Sequence, residues 1–165
     1  MRDQTTRRLA YGGLMAALIA LLTAYVRLDI LFFLSMHSGY AHLGDVGIVI
    51  ASLLMGPFAA APAALGSAIA DLLAGYVTYA PFTLVIKGAM GFFAGKFLKS
   101  GLSVKNIAIV IAISAFMVLA YFLTDMVLYG WAAALGSALG NVTQALASIA
   151  LGCVVLALPV ERIRG

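Results

Sequence analysis

Asp45, Asp71, Lys87, Asp125, Asn141 and Gln144 all stand inside apolar runs of this chain. Carboxylates, an ammonium and side-chain amides are the groups that grip the polar edge of a small organic ligand. A charge at the middle of a membrane helix costs about 2.5–3.5 kcal/mol on insertion scales, so residues of this kind mark a site or a buried ion pair. Around them lie His37, Tyr40, His42, Tyr76, Tyr79, Thr83, Tyr121, Tyr129 and Trp131. Structural roles compete with ligand binding at several of these positions. Asp45 follows Gly44 and suits a helix N-cap. Lys87 fits an ion pair with Asp71 or Asp125. Tyr129 and Trp131 fit an interfacial aromatic belt. His37 and His42 have no H-E-x-x-H companion, so neither a metal nor any other cofactor is expected.

The elements that must position these groups are set by composition. Of the 165 residues, 64% are hydrophobic and 10% charged, against about 45–50% and about 25% in soluble domains. Six acids and ten bases cannot cover a water-soluble globule, and the aliphatic content excludes disorder. The single cysteine, Cys153, rules out an intrachain disulfide. The net charge of +4 does not indicate nucleic acid, because the bases flank hydrophobic segments instead of forming a stripe.

Crossing the hydrocarbon core takes about 20 apolar residues in a helix. The sequence predicts an all-α integral membrane protein, a compact bundle of six transmembrane helices over 9–26, 43–55, 58–76, 81–98, 107–129 and 135–158. The whole chain, 1–165, is expected to form one domain. Gly56-Pro57 breaks the second span from the third, since proline cannot continue the hydrogen-bond ladder. Arg7-Arg8 before an apolar run imitates a signal peptide, but the run exceeds a usual h-region and no cleavage site follows, so it is expected to be retained.

Orientation follows from the bases. With cytoplasmic N- and C-termini, Arg2, Arg7, Arg8, Lys96, Lys99, Lys105, Arg162 and Arg164 fall on the inner side and only Arg27 outside, the positive-inside pattern. The polar residues then share the outer half of the bundle. The apolar, aromatic connection 27–42 is expected to fold back over them as a lid. Small residues recur at four-residue spacing, which allows close helix approach in lipid: Ala60, Ala64 and Ala68; Gly91 and Gly95; Gly136 and Gly140; and, on the first helix, Ala16 and Ala20. Bundle packing accounts for most of these. The first helix has no polar residue to turn inward, and Ala16 and Ala20 are expected to face a separate membrane protein.

No G-x-x-x-x-G-K-[ST] motif, G-x-S-x-G elbow or internal repeat occurs, so no ATPase, hydrolase or autonomous carrier is indicated. Residues 42–95 contain Leu43-Gly44-Asp45, Gly56-Pro57, Asp71, the Tyr79-Ala80-Pro81-Phe82-Thr83 segment and Ile86-Lys87-Gly88. With these motifs the stretch resembles the substrate-binding S components of energy-coupling factor (ECF) transporters, in the branch with hydroxymethylpyrimidine, pyridoxine and riboflavin types.

The resemblance implies a non-enzymatic transporter subunit in a prokaryotic plasma membrane. It would capture a vitamin or precursor from outside for ATP-driven import. A transmembrane T component and two cytoplasmic ATPases would be its partners, with Ala16 and Ala20 at the T-component contact. The implied binding residues are His37, Tyr40, His42, Asp45, Tyr79, Thr83, Lys87, Tyr121, Asp125, Asn141 and Gln144. Hydroxymethylpyrimidine or pyridoxine is the expected cargo, ahead of riboflavin. Two other classes remain open on the residues alone. A lipid- or prenyl-processing membrane enzyme would use Asp45, Asp71 or Asp125, though these acids are not clustered for a metal. A ligand-free structural subunit would lose only stability when Lys87 or Asp125 is changed.

Overall fold

The structure is a computed structural model and describes residues 2–26 and 42–159, with side chains from residue 5. Among these residues the architecture is all-helical. The helices are α1 (Arg2–Ala24), α2 (Gly44–Met55), α3 (Ala60–Leu73), α4 (Ala80–Phe97), α5 (Val104–Tyr129) and α6 (Trp131–Ala157), with a 3₁₀ turn at Gly56–Ala59 between α2 and α3. Four stretches are long and apolar enough to cross a membrane: Thr5–Ala24, Gly44–Leu73, Val104–Tyr129 and Trp131–Ala157.

The Gly44–Leu73 stretch is not one rod. Asp45 meets Lys87 early in α4, and Ser52 bonds Gly91 further along it, so α2 runs parallel to α4. Past the 3₁₀ turn the sense reverses. Gly95 abuts Gly56, Gly91 abuts Ala59 and Gly88 faces Ala64. The expected break at Gly56-Pro57 is therefore a hairpin: Gly56 takes φ +60, a conformation that costs glycine little, and Pro57 opens the 3₁₀ turn. Taken with the antiparallel pairs Tyr79–Asp125 and Ser137–Asp125, the helices alternate direction. One end of the bundle gathers the ends of α1, α3 and α5 and the starts of α2, α4 and α6.

The two ends hold together differently. At the end where α1 begins, a Cβ on Gly95 would collide with the Gly56 carbonyl, and one on Gly91 would lie 2.7 Å from the Ala59 oxygen. Backbones pack directly there. Val49, Leu53, Ala94, Val110 and Leu156 fill the neighbouring core. Asn106 ties the α4–α5 connection, donating to the carbonyls of Lys99 (2.7 Å) and Gly101 (2.6 Å). Ser103 caps α5 by accepting from the Asn106 amide.

Helix ends extend beyond the apolar windows. α1 begins at Arg2 and α5 at Val104, because hydropathy marks the oily part of a helix whereas backbone bonding continues through its polar turns. The small-residue expectations divide. Ala64 meets Gly88, so that stripe is internal packing. Ala16 is also engaged inside the bundle: its carbonyl lies 2.5 Å from where a Cβ on Gly66 would sit. Ala16 and Ala20 are half-buried. The exposed side of α1 carries Leu9, Leu14 and Leu21 with Gly13 and Ala17. Gly140 has open space around it.

Candidate functional site

At the end opposite the glycine contacts lies a cavity of about 70 Å³, lined by His42, Asp71, Tyr76, Tyr79, Thr83, Tyr121, Asp125, Ser137, Gly140, Asn141 and Gln144. Helical geometry explains the gathering. Ser137, Gly140, Asn141 and Gln144 fall at i, i+3, i+4 and i+7 on α6, Tyr121 and Asp125 at i, i+4 on α5, and Tyr79 and Thr83 four apart at the start of α4, so each set shares a face.

One wall is organised by Asp125, which is 2% exposed. It accepts from the Tyr79 hydroxyl at 2.5 Å and, on its other oxygen, from Ser137. Burial and the Asp125 carboxylate hold the Tyr79 phenol above its ordinary range, so Tyr79 remains a donor at physiological pH. Thr83 and Tyr121 share a hydrogen bond of 2.9 Å. Tyr79 also packs against Tyr76 and Tyr129, with ring centroids 6.1 and 6.0 Å apart, leaving an aromatic wall beside the polar one.

Beneath the cavity runs a second network. Lys87, 1% exposed, donates to Asp45 Oδ1 at 2.5 Å, and Gln144 Nε2 donates to Asp45 Oδ2 at 2.9 Å. The Lys87 Nζ lies 5.4 Å from the Tyr121 ring centroid. Asp45 and Lys87 pair next to the cavity without being part of its lining. Two expectations change here. The partner of Lys87 is Asp45, not Asp71 or Asp125. Asp45 is not the N-cap of α2, since Leu43 takes that position with no side-chain bond; instead the Gly44 amide donates to His42 Nδ1 at 3.1 Å.

His42, Tyr79, Thr83, Tyr121, Asp125, Asn141 and Gln144 are thus brought together around one cavity. His37, Tyr40 and all of the expected lid except His42 lie outside the described residues, as do Arg27, Arg162 and Arg164. Asp71, Tyr76, Ser137 and Gly140 join the lining without having been among the expected binding residues. The spacing of Ser137 and Gly140 from Asn141 and Gln144 was the available signal. Trp131 is 61% exposed and packs edge-on against Phe122, away from the lining. Among the described residues no cluster of His, Cys, Asp or Glu has the makings of a metal site.

The described residues thus form an all-helical bundle of apolar helices with a polar cavity at one end. The family model described as "ECF-type riboflavin transporter, S component" matches residues 3–160, and the chain belongs to this family of substrate-binding membrane transporter subunits. It is also 36% identical over 116 residues to a protein of Pyrococcus woesei described as "Uncharacterized protein in gap 3'region", covering 69% of this chain and 78% of that one.

Proposed function

We propose that this protein captures a small heteroaromatic vitamin or vitamin precursor at the outer face of a prokaryotic plasma membrane. It hands the cargo to a T component and two cytoplasmic ATPases that power import. In this reading α1 to α6 are six spans of a single domain, 1–165, with both termini cytoplasmic and the cavity facing outward. Supporting that orientation, Arg7, Arg8, Lys96, Lys99 and Lys105 stand on the helix ends opposite the cavity, as the positive-inside rule requires.

The observation that carries the proposal is the cavity itself: polar side chains of α3 to α6 converge on one space in a chain of the S-component family. Asp125, Asn141 and Gln144 would read the polar edge of the cargo while the Tyr76–Tyr79 wall stacks on its ring. Asp45 and Lys87 hold that surface in place from below.

Hydroxymethylpyrimidine or pyridoxine is the favoured cargo. An apolar cavity of about 150 Å³ takes one benzene, and the about 70 Å³ here is smaller still, which favours the smaller single-ring cargo over a three-ring flavin. Riboflavin is the second reading, favoured by the description of the matching family. For the T component, the exposed side of α1 around Gly13 and Ala17 is the supported docking face, since a Cβ on Gly13 would meet nothing within 4 Å.

Isothermal titration of the detergent-solubilised protein with hydroxymethylpyrimidine, pyridoxine, thiamine and riboflavin tests the proposal, with native mass spectrometry to detect co-purified cargo. Saturable nanomolar binding of one compound is expected. That affinity, about −12 kcal/mol, asks roughly −1 kcal/mol from each of about a dozen heavy atoms, which demands near-complete enclosure. Absence of binding by all four, with no co-purified mass, would overturn the vitamin assignment.

A further inference from the structure

Hydrogen-bond bookkeeping in the cavity narrows the chemistry of the cargo. Each oxygen of Asp125 already accepts one bond, from Tyr79 or from Ser137, and each oxygen of Asp45 accepts one, from Lys87 or from Gln144. Asp45 is a bare acceptor in its ion pair, so the end of Gln144 that reaches it must be the NH₂. Gln144, 3% exposed and part of the lining, therefore has its carbonyl Oε1 at the end that does not meet Asp45. Opposite in sequence and on another helix, Asp71 Oδ2 is buried with no hydrogen-bond partner, and Asp71 lines the same cavity. A buried acceptor left unpaired is destabilising, the more so when charged. A donor on the cargo would satisfy it.

The charge count points the same way. Among the described residues, Asp45, Asp71 and Asp125 stand in or directly beneath the cavity against one ammonium, Lys87, which is committed to Asp45. His42 accepts the Gly44 amide on Nδ1. The remaining donors, Asn141 and the tyrosine hydroxyls, are neutral.

We infer that the cavity selects a nitrogen heterocycle that presents N–H donors, neutral or cationic, to Asp71 Oδ2 and Gln144 Oε1, and that it excludes anionic forms such as carboxylates and phosphate esters of the same ring. This inference rests on the binding-subunit reading above and adds the charge class of the cargo. Like charges brought together in a desolvated site repel one another strongly enough to reject a ligand.

The test uses simple rings, so that it does not depend on naming the vitamin. Ligand-observed NMR on the full chain in detergent would compare 4-aminopyridine, a cation at neutral pH with an exocyclic donor, with 4-methylpyridine and with isonicotinate. The expected order is 4-aminopyridine tighter than 4-methylpyridine by about tenfold and tighter than isonicotinate by at least about a hundredfold. Asp71→Asn is expected to weaken 4-aminopyridine by about tenfold and to narrow its margin over isonicotinate.

Isonicotinate binding as well as 4-aminopyridine would overturn the inference. So would binding of none of the three, or a margin that Asp71→Asn leaves unchanged. The wild-type ranking needs no variant and stands even if Asp71→Asn fails to fold. If the four vitamins fail to bind while 4-aminopyridine binds in the expected order, the vitamin assignment falls and the charge selectivity remains.

Discussion

The two ends of this bundle are built from opposite materials. At one end, Gly91 and Gly95 press the α4 backbone onto the 3₁₀ turn at Gly56–Ala59, and the core beside them is aliphatic. At the other, helices are held apart around a cavity and tied by side-chain bonds, Tyr79 to Asp125, Ser137 to Asp125 and Lys87 to Asp45. Packing without side chains gives a rigid closed end at no desolvation cost. Side-chain networks hold an open end, and each polar partner must stay satisfied. The difference teaches where tolerance to change lies. The closed end resists added volume, whereas the open end resists lost polarity.

Four single variants and one double mutant would break or sharpen that contrast. The largest effect is expected from Gly95→Val, whose Cβ would strike a backbone carbonyl that cannot rotate away. Its cost should exceed the about 1–3 kcal/mol typical of overpacking, read as loss of the monodisperse peak in detergent chromatography.

Next, Lys87→Met leaves Asp45 buried without its cation and should cost about 3–5 kcal/mol. Adding Asp45→Asn to it should recover a large part, a non-additivity measurable by thermal unfolding in a double-mutant cycle. Full additivity would show that the two residues do not act as a pair.

Asp125→Asn removes the charge from two hydrogen bonds and should cost about 1.5–3 kcal/mol, together with a loss of ligand affinity seen in titration. Smallest in stability is Gly140→Leu. With no atom within 4 Å of the position of its Cβ, the new side chain fills cavity space and should shift stability by no more than about 0.5 kcal/mol, while binding falls at least about a hundredfold. Destabilisation by this variant, with binding preserved, would show that residue 140 belongs to the packing and not to the site.

The helices and their polar depth were legible in the sequence because both follow from local pattern. Lipid demands apolar runs, and Gly56-Pro57, Pro81 and Ser103 sit where helices begin or turn. What stayed hidden depends on how helices rotate about their own axes. Lys87 had three acids at suitable depth, and only the parallel packing of α2 on α4 brings Asp45 to it. Ala16 looked free because a helix without polar residues has no visible inward face, yet Gly66 admits its backbone. Asn106 was silent for a different reason: its bonds go to the carbonyls of Lys99 and Gly101, and backbone acceptors leave no mark in a residue pattern.

The separation of acids at the cavity end from Arg7, Arg8, Lys96, Lys99 and Lys105 at the other has an electrical consequence. In the proposed orientation the molecule is a dipole set along the bilayer normal, negative side outward. A resting cell holds its interior negative, and each elementary charge moved across that field is worth about 2.3 kcal/mol per 100 mV. The membrane voltage therefore favours the upright pose and opposes any motion that swings the basic end outward. A depolarised membrane would hold the protein upright less firmly than an energised one.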